Sequence, residues 1–361
     1  MIINVLSPGF NTPNSSSFLF PLIVFKNHCK ELKINIQIFF NLSKRISDCD
    51  FLFIDSKYFK FEWNKNTHEV LNIFQKLSES TKVVYFDTTD SAGTIDSSLL
   101  PLVHIYAKNQ IYKDLNNYTK KFYGRRLFAD YYNKKLNIID ENPEYSQPIT
   151  TKKFLKKFKI SWNIGLSTYN YYSKYILKAL DFSKRIPIYN HLIKYPNLIK
   201  SCYENRDNLI SARFNSSYER KTVGVQRHLI KKELKYKIDS HPINRKKYFL
   251  ELCNSKIVLS PFGWGEINLK DFEVFLTGGL LFKPRMNHVK TWPHFFLNKE
   301  TIVEFNWDLD DLNDLINFYT KWDEQRLDIA NEGQKMYLRY TSGKDAGEFF
   351  ANHLMKILKN D

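Results

Sequence analysis

Short apolar runs alternate with amphipathic stretches along most of this chain. "IINVLS" opens it as a β-branched run, followed by the loop "PGFNTPNSSS" and an apolar helix candidate over Phe18–Leu32. "INIQIFF", "DFLFID" and "KVVYFD" read as strands, and "EVLNIFQKLSES" reads as an amphipathic helix. Strands that alternate with helices predict a parallel sheet covered on both faces, which places ligands at the carboxyl ends of its strands. "FDTTDSAGTID" lies at such an end, so Asp87 and Asp90 either cap the next helix or face a cleft.

The stretch over about 110–200 is rich in Tyr and Lys, and "ENPEYSQPITT" within it is a polar, Pro-containing loop. "SWNIGLSTYNYY" (161–172) is either a second ligand-facing loop or ordinary packing around Trp162. A second alternating block starts near Tyr203. "DNLISARF" is a strand ending in Arg213, and "NSSYERKTVGVQRHLIKKEL" is a polar loop leading into a helix. Free N–H groups at a helix start attract an anion, and cations beside them add charge-assisted bonds. Arg213, Ser216, Ser217, Arg220 and Lys221 are therefore phosphate candidates, although Ser-Ser before a helix is also a plain N-cap.

"SPFGWGEINLKDFEVFLTGGLLFKP" (260–284) joins a strand, a Gly-aromatic-Gly turn, a helix and a returning strand. Gly263 and Gly265 let backbone approach a ligand closely or take positive φ. Glu273, in the helix, can accept both hydroxyls of a ribose. Gly278-Gly279 ends the helix in left-handed fashion. Trp264 either stacks on a base or sugar or packs in the turn.

Composition narrows the classes. A chain of 361 residues predicts two domains, and 43% hydrophobic with 16% aromatic residues suffices for packed cores. The expected division is 1–200, 201–340, and a terminal helix over 341–361 that returns to the first domain. Cys29, Cys49, Cys202 and Cys253 form no CxxC pair, which argues against a zinc site or disulfide framework. No signal peptide or membrane-spanning run is visible, so Asn14 and Asn117 are read as chance glycosylation matches. The +16 net charge needs a partner or a reason. Clusters at 151–159, 219–237 and 244–247 read as solvated faces or as contacts to an anionic membrane surface. Nothing resembles a nucleic-acid-binding signature, so none is expected as partner.

The block from about Ser255 to Pro284 resembles the C-terminal donor-binding half of GT-B glycosyltransferases of the group 1 and exostosin-like kind. "PFGWGE" corresponds to their turn, "DFEVFLTGG" to their helix and "LLFKP" to their returning strand. Bacterial enzymes of capsular or lipopolysaccharide synthesis, some of them Kdo transferases, are the relatives it brings to mind. The resemblance implies two Rossmann-like α/β domains facing across a cleft, with Glu273 on the nucleotide ribose. Here Glu266 stands one position closer to Glu273 than the family's first glutamate, whose place Gly265 takes.

These readings make the chain a glycosyltransferase that moves a sugar from a nucleotide-sugar to a glycan or lipid-linked acceptor. No metal or other cofactor is expected, because no Asp-x-Asp follows a strand; "DLDDLNDL" (308–315) caps a helix instead. The catalytic candidates are Asp90, as general base, and Glu266. The donor-binding candidates are Arg213, Ser217, Lys221, His241, Ser260, Gly263, Trp264, Gly265, Glu273 and Lys283. The expected place is the cytoplasm, at the inner face of the membrane if the basic charge serves it. The competing class is a non-catalytic binder of a phosphorylated ligand or nucleic acid. A nucleotide-dependent epimerase or dehydrogenase is disfavoured, because no GxGxxG follows the first strand.

Overall fold

Strands that are apolar on both faces must be covered on both sides, and the chain meets that demand twice. The computed structural model describes residues 1–167, 206–234 and 238–359, with Ala179, Leu180, Phe182, Ile193 and Tyr195 besides. The sequence readings at 168–172, at Tyr203 and at 235–237 lie outside these residues. The first sheet has six parallel strands in the order β2-β1-β3-β4-β5-β7. They are β1 (Ile2–Leu6), β2 (Asn35–Phe39), β3 (Phe51–Asp55), β4 (Lys82–Asp87), β5 (Ile105–Lys108) and β7 (Phe158–Ile160). The order reverses between β1 and β3, which opens a crevice at the carboxyl end there. The second sheet is β12-β10-β9-β8, also parallel, from β8 (Asn208–Ser211), β9 (Ser255–Leu259), β10 (Leu280–Pro284) and β12 (Val303–Phe305). The doubly wound α/β fold read from the sequence is thus present.

An antiparallel ribbon of β6 (Gln110–Tyr112) and β11 (Val289–Thr291) links the two halves. Helices α1 (Pro13–Val24), α2 (Lys26–Glu31), α3 (Lys60–Lys65), α4 (Thr67–Ser80) and α5 (Leu127–Leu136) belong to the first half. The second carries α6 (Lys221–Glu233), α7 (Arg245–Asn254), α8 (Leu269–Thr277), α9 (Leu312–Lys321), α10 (Asp323–Thr341) and α11 (Ala346–Leu358).

One apolar core runs through both halves, from Ile3 and Phe18 through Trp162 to Phe272, Phe295 and Tyr337. Trp162 is packing: it stacks on Phe18 at 5.6 Å and donates its indole N–H to the Phe18 carbonyl. Helix α11 lies on the first half, where Phe350 meets Phe25 and Trp162. His353 stacks on Trp292 at 3.7 Å and donates Nε2–H to the Ile160 and Ser161 carbonyls. Burial holds that ring's pKa down at about 4. Cys29 and Cys49 are free, whereas Cys253 is disulfide-bonded, which the sequence reading did not expect.

Two buried ion pairs brace the carboxyl ends of the sheets. Lys108, ending β5, lies 3.0 Å from Asp87, ending β4, with neither side chain exposed. Asp87 also accepts from the Tyr106 and Thr89 hydroxyls, so it neither caps a helix nor opens on a cleft. Burial alone would raise the Asp87 pKa, but Lys108 and the Thr89 bonds bring it below the ordinary value. The second pair is Lys283–Asp271 at 2.8 Å, equally sealed.

A buried charge stripped of its partner is costly, so Lys108→Met should destabilise the fold by about 3–5 kcal/mol in urea denaturation. The double variant Asp87→Asn/Lys108→Met should cost clearly less than the sum of the single changes. Additive losses would show that the pair is not coupled.

Candidate functional site

The carboxyl ends of the two sheets meet at the turn after β9. Glu266 leaves that turn fully buried and accepts the Ala92 N–H at 3.1 Å and the Ser91 hydroxyl at 3.4 Å. His288 Nε2 stands 3.7 Å from it. Burial would raise the Glu266 carboxyl, yet His288 and the Ala92 amide hold it below its usual value. Glu266 is therefore a tie between the halves, not an open group at reacting atoms as the sequence suggested.

Gly265 and Gly263 both allow close approach, and neither has positive φ. A Cβ at Gly265 would overlap the Asp90 carbonyl, and one at Gly263 would crowd Arg227, Tyr218 and Asn268. Gly278 does take positive φ, 69°, and caps α8. The turn thus brings Asp90 against Trp264's neighbours. Asp90 itself is exposed, and its Oδ1 accepts from Asn14 at 3.0 Å. Asn14, dismissed from the sequence as a chance glycosylation match, is the residue that orients Asp90. Only the crossing of the first half's loops reveals this.

Trp264, 38% exposed, is ringed by cations. Arg126 donates to its carbonyl at 2.8 Å and lies 5.4 Å over its ring, Arg220 lies 6.0 Å over it, and Tyr218 meets it edge-on. Arg227 sits beneath, donating to the Phe262 carbonyl at 2.6 Å and packing on Tyr218. Burial lowers the pKa of both Arg126 and Arg227, and guanidinium groups remain charged regardless. Glu144 pairs with Arg220 and lies 4.0 Å from Arg125. Arg126 and Arg227 were missed in the sequence because each lies inside a helical or irregular stretch without a motif.

Several expected donor residues do not reach this cluster. Ser260 donates to Asp271 at 2.5 Å and is 1% exposed, and Lys283 is locked to the same carboxylate. Both serve the buried brace, because a strand-end ammonium in a dry site must keep its counter-ion. Arg213 is bound to Glu251 and Asp239, each at 2.7 Å. His241 points to Asp239 at 2.8 Å and is otherwise exposed. Ser217 is exposed, its N–H bonded to Asn215. Lys221 is exposed at the start of α6.

The N-terminus of α6 is itself occupied. Asp140, from the first half, accepts the Thr222 N–H at 2.9 Å and its hydroxyl at 2.7 Å. A protein carboxylate takes the position in which the sequence suggested a phosphate. Helix α5 docks beside it, with Tyr132 donating to the Trp307 carbonyl at 2.7 Å and Lys135 pairing with Asp308 at 2.7 Å.

Glu273 lies on the buried side of α8, 8% exposed, accepting from Tyr248 at 2.9 Å with Arg245 at 3.7 Å. Burial raises its pKa, against the pull of Tyr248, Arg245 and Lys270. Lys270, one turn earlier, donates to the Arg213 carbonyl and lies 5.5 Å from the Phe214 ring. Burial, with Arg227 adding to it, pushes its ammonium down to about 7. The sequence offered no signal for Lys270, an unremarkable polar residue of an amphipathic helix.

No family model and no curated protein matches the chain. Solved structures resemble it in outline. HepE of Anabaena, in complex with UDP-glucose, aligns over 99% of this chain and 100% of its own, at 10% identity and a TM-score of 0.46. An alpha-glucosyltransferase in complex with UDP and a 13-mer DNA aligns over 99% of each chain, at 9% identity and 0.44. A glycosyltransferase from Rickettsia africae aligns over 100% of this chain and 99% of its own, at 10% and 0.44. Likenesses this distant carry no residue roles to this chain.

Two outcomes follow from the geometry. Gly265→Ala should destabilise by about 1–3 kcal/mol, the usual cost of overpacking, read as a lower urea midpoint. Lys270 binds its proton more weakly folded, near 7, than unfolded, near 10.5. Its charge therefore opposes folding below about pH 7, and that penalty fades as pH rises towards 10.5. Lys270→Met should raise the unfolding midpoint most at pH 6–7, with the gain shrinking by pH 10. A gain independent of pH would contradict the assignment.

Proposed function

We propose that this chain is a glycosyltransferase using a nucleotide-sugar donor and a hydroxyl acceptor. The observation that carries the reading is the ring of Arg126, Arg220 and Arg227 around the Gly-Trp-Gly turn, where the carboxyl ends of two parallel sheets converge on Asp90. Ligands of doubly wound sheets lie at such ends. A departing nucleoside phosphate needs fixed positive charge in a partly dry place, and arginine forks supply it without reorganisation.

In this reading the acceptor oxygen forms its bond to the anomeric carbon while the bond from that carbon to the phosphate oxygen breaks. The acceptor's proton passes to Asp90, held in place by Asn14, and the electron pair leaves with the phosphate. Arg220 at the rim, with Arg126 below, receives the negative charge. Glu273 accepts the ribose hydroxyls once Arg245 yields, and Trp264 offers its exposed edge to the base or sugar. Charge stabilisation by these side chains needs no metal.

The acceptor proposed is a glycan or lipid-linked glycan of a bacterial surface polysaccharide, elongated in the cytoplasm at the membrane's inner face. No helix among the described residues is long and apolar enough to cross a membrane.

The test is a thermal-shift panel of nucleotides and nucleotide-sugars on the purified chain, since a ligand of the folded state raises the melting temperature. One nucleotide class should stabilise it, and Glu273→Ala should weaken that binding by about 1–3 kcal/mol. Stabilisation by oligonucleotides alone would instead favour a nucleic-acid binder. In a sugar-transfer assay, Asp90→Asn should lower kcat by about 100-fold or more while sparing donor affinity.

A further inference from the structure

A second concavity lies away from the arginine ring, at the open edge of the first sheet. It measures about 1080 Å³, the upper end of the ~300–1,000 Å³ common for small-molecule sites. Its walls are β7 with the turn before it, the β6–β11 ribbon, and one face of α11. Seven lysines line it, and no Asp or Glu does so among the described residues. The ammonium groups of Lys113, Lys156, Lys290 and Lys356 make no hydrogen bond or ion pair with any described residue, and these residues are exposed. Like charges gathered in a hollow repel one another, so the arrangement costs stability unless an anion enters.

The chemistry of the walls selects among anions. The floor carries aliphatic Ile105, Ile111, Leu115, Leu155, Ile160 and Ile357, and the half-buried rings of Trp292, Tyr340 and Phe349 line the groove with it. Trp and Tyr rings sit where hydrocarbon meets headgroups in a bilayer, and this groove sets both beside its lysines. The lining holds no carboxylate to accept from the hydroxyls of a sugar chain; its polar side chains besides lysine are Thr291, Asn352, Tyr112, Tyr340, His104 and His353. Every charged wall residue other than histidine is lysine, a point charge on a flexible stem, suited to screening a headgroup and unsuited to bidentate clasping. Lysine stems also extend apolar surface while keeping their ammonium groups in water.

We propose that this groove seats an anionic phospholipid of a bilayer, with its acyl chain along the aliphatic floor and its phosphate among the lysines. The groove thus holds the protein at a membrane through one sheet edge and the C-terminal helix. The inference is independent of the sugar-transfer reading, because neither the lysines nor the floor belongs to the arginine ring.

The full chain is tested by co-sedimentation with phosphatidylcholine vesicles, with and without phosphatidylglycerol. It should bind only the anionic vesicles. Lys153→Glu/Lys156→Glu should weaken that binding by about twentyfold. Lys44→Glu/Lys76→Glu, with the same net charge but off the groove, should leave it nearly unchanged. Equal losses in both variants would overturn the site, because charge alone would then explain binding. Chain insertion has its own readout in the unmutated protein. Phosphatidylglycerol brominated on its acyl chains should quench a component of tryptophan emission that Trp292→Phe removes. Absence of that component, or tighter retention of an oligothymidylate than of anionic vesicles, would overturn the proposal. Neither readout uses a nucleotide-sugar, so failure here and failure of the transferase reading remain distinguishable.

Discussion

A carboxylate that leaves water must find donors, and Glu266 finds them on the opposite half of the molecule. The Ala92 amide and Ser91 hydroxyl come from the loop after β4, while His288 approaches from the link between β10 and β11. Losing the Ala92 and Ser91 bonds would strand a charge in a dry place, so the turn after β9 and the loop after β4 are held in one register. Asp90, Trp264 and the surrounding arginines all take their positions from that register. The absence of a side chain at Gly265 is the steric condition for it, since Asp90's backbone occupies that space.

Beneath this contact each sheet carries a sealed lysine–aspartate pair at its carboxyl end: Lys108–Asp87 in the first and Lys283–Asp271 in the second. Both pairs hold loops that reach the cleft. Asp87 anchors Thr89, next to Asp90, and Asp271 holds Ser260 at the start of the turn. Rigid floors of this kind matter where side chains must be pre-positioned for a charged leaving group. The same low dielectric that makes the pairs costly to break makes the loops above them reproducible.

The basic excess of the chain divides into two physically different uses. Arginines gather where planar guanidinium groups pack on aromatic rings and carbonyls, around Trp264 and Tyr218. Lysines without carboxylates gather over an apolar groove, aliphatic and aromatic, on the far sheet edge. A net charge counts both alike. Only their neighbours distinguish the proposed place for a departing phosphate from the proposed place for a lipid surface.

Much of the fold was legible because its signals are local. β-branched runs, the alternation of strand and helix, and Gly278 after an amphipathic helix determine parallel α/β halves without reference to anything distant. The turn that the arginines surround was legible because one stretch carries it, at Gly263, Trp264 and Gly265. The candidate site was not legible where residues meet across long separations in the chain. Asp140 capping α6, Asn14 on Asp90, Arg126 over Trp264, and Lys283 withdrawn to Asp271 are all of that kind. The sequence by itself determined which residues are apolar enough to be strands and which glycines permit close approach, because those are properties of single residues and their immediate neighbours. The tertiary structure alone decided which charges are free and which are spent on one another, because pairing depends on proximity and burial, and neither is written locally.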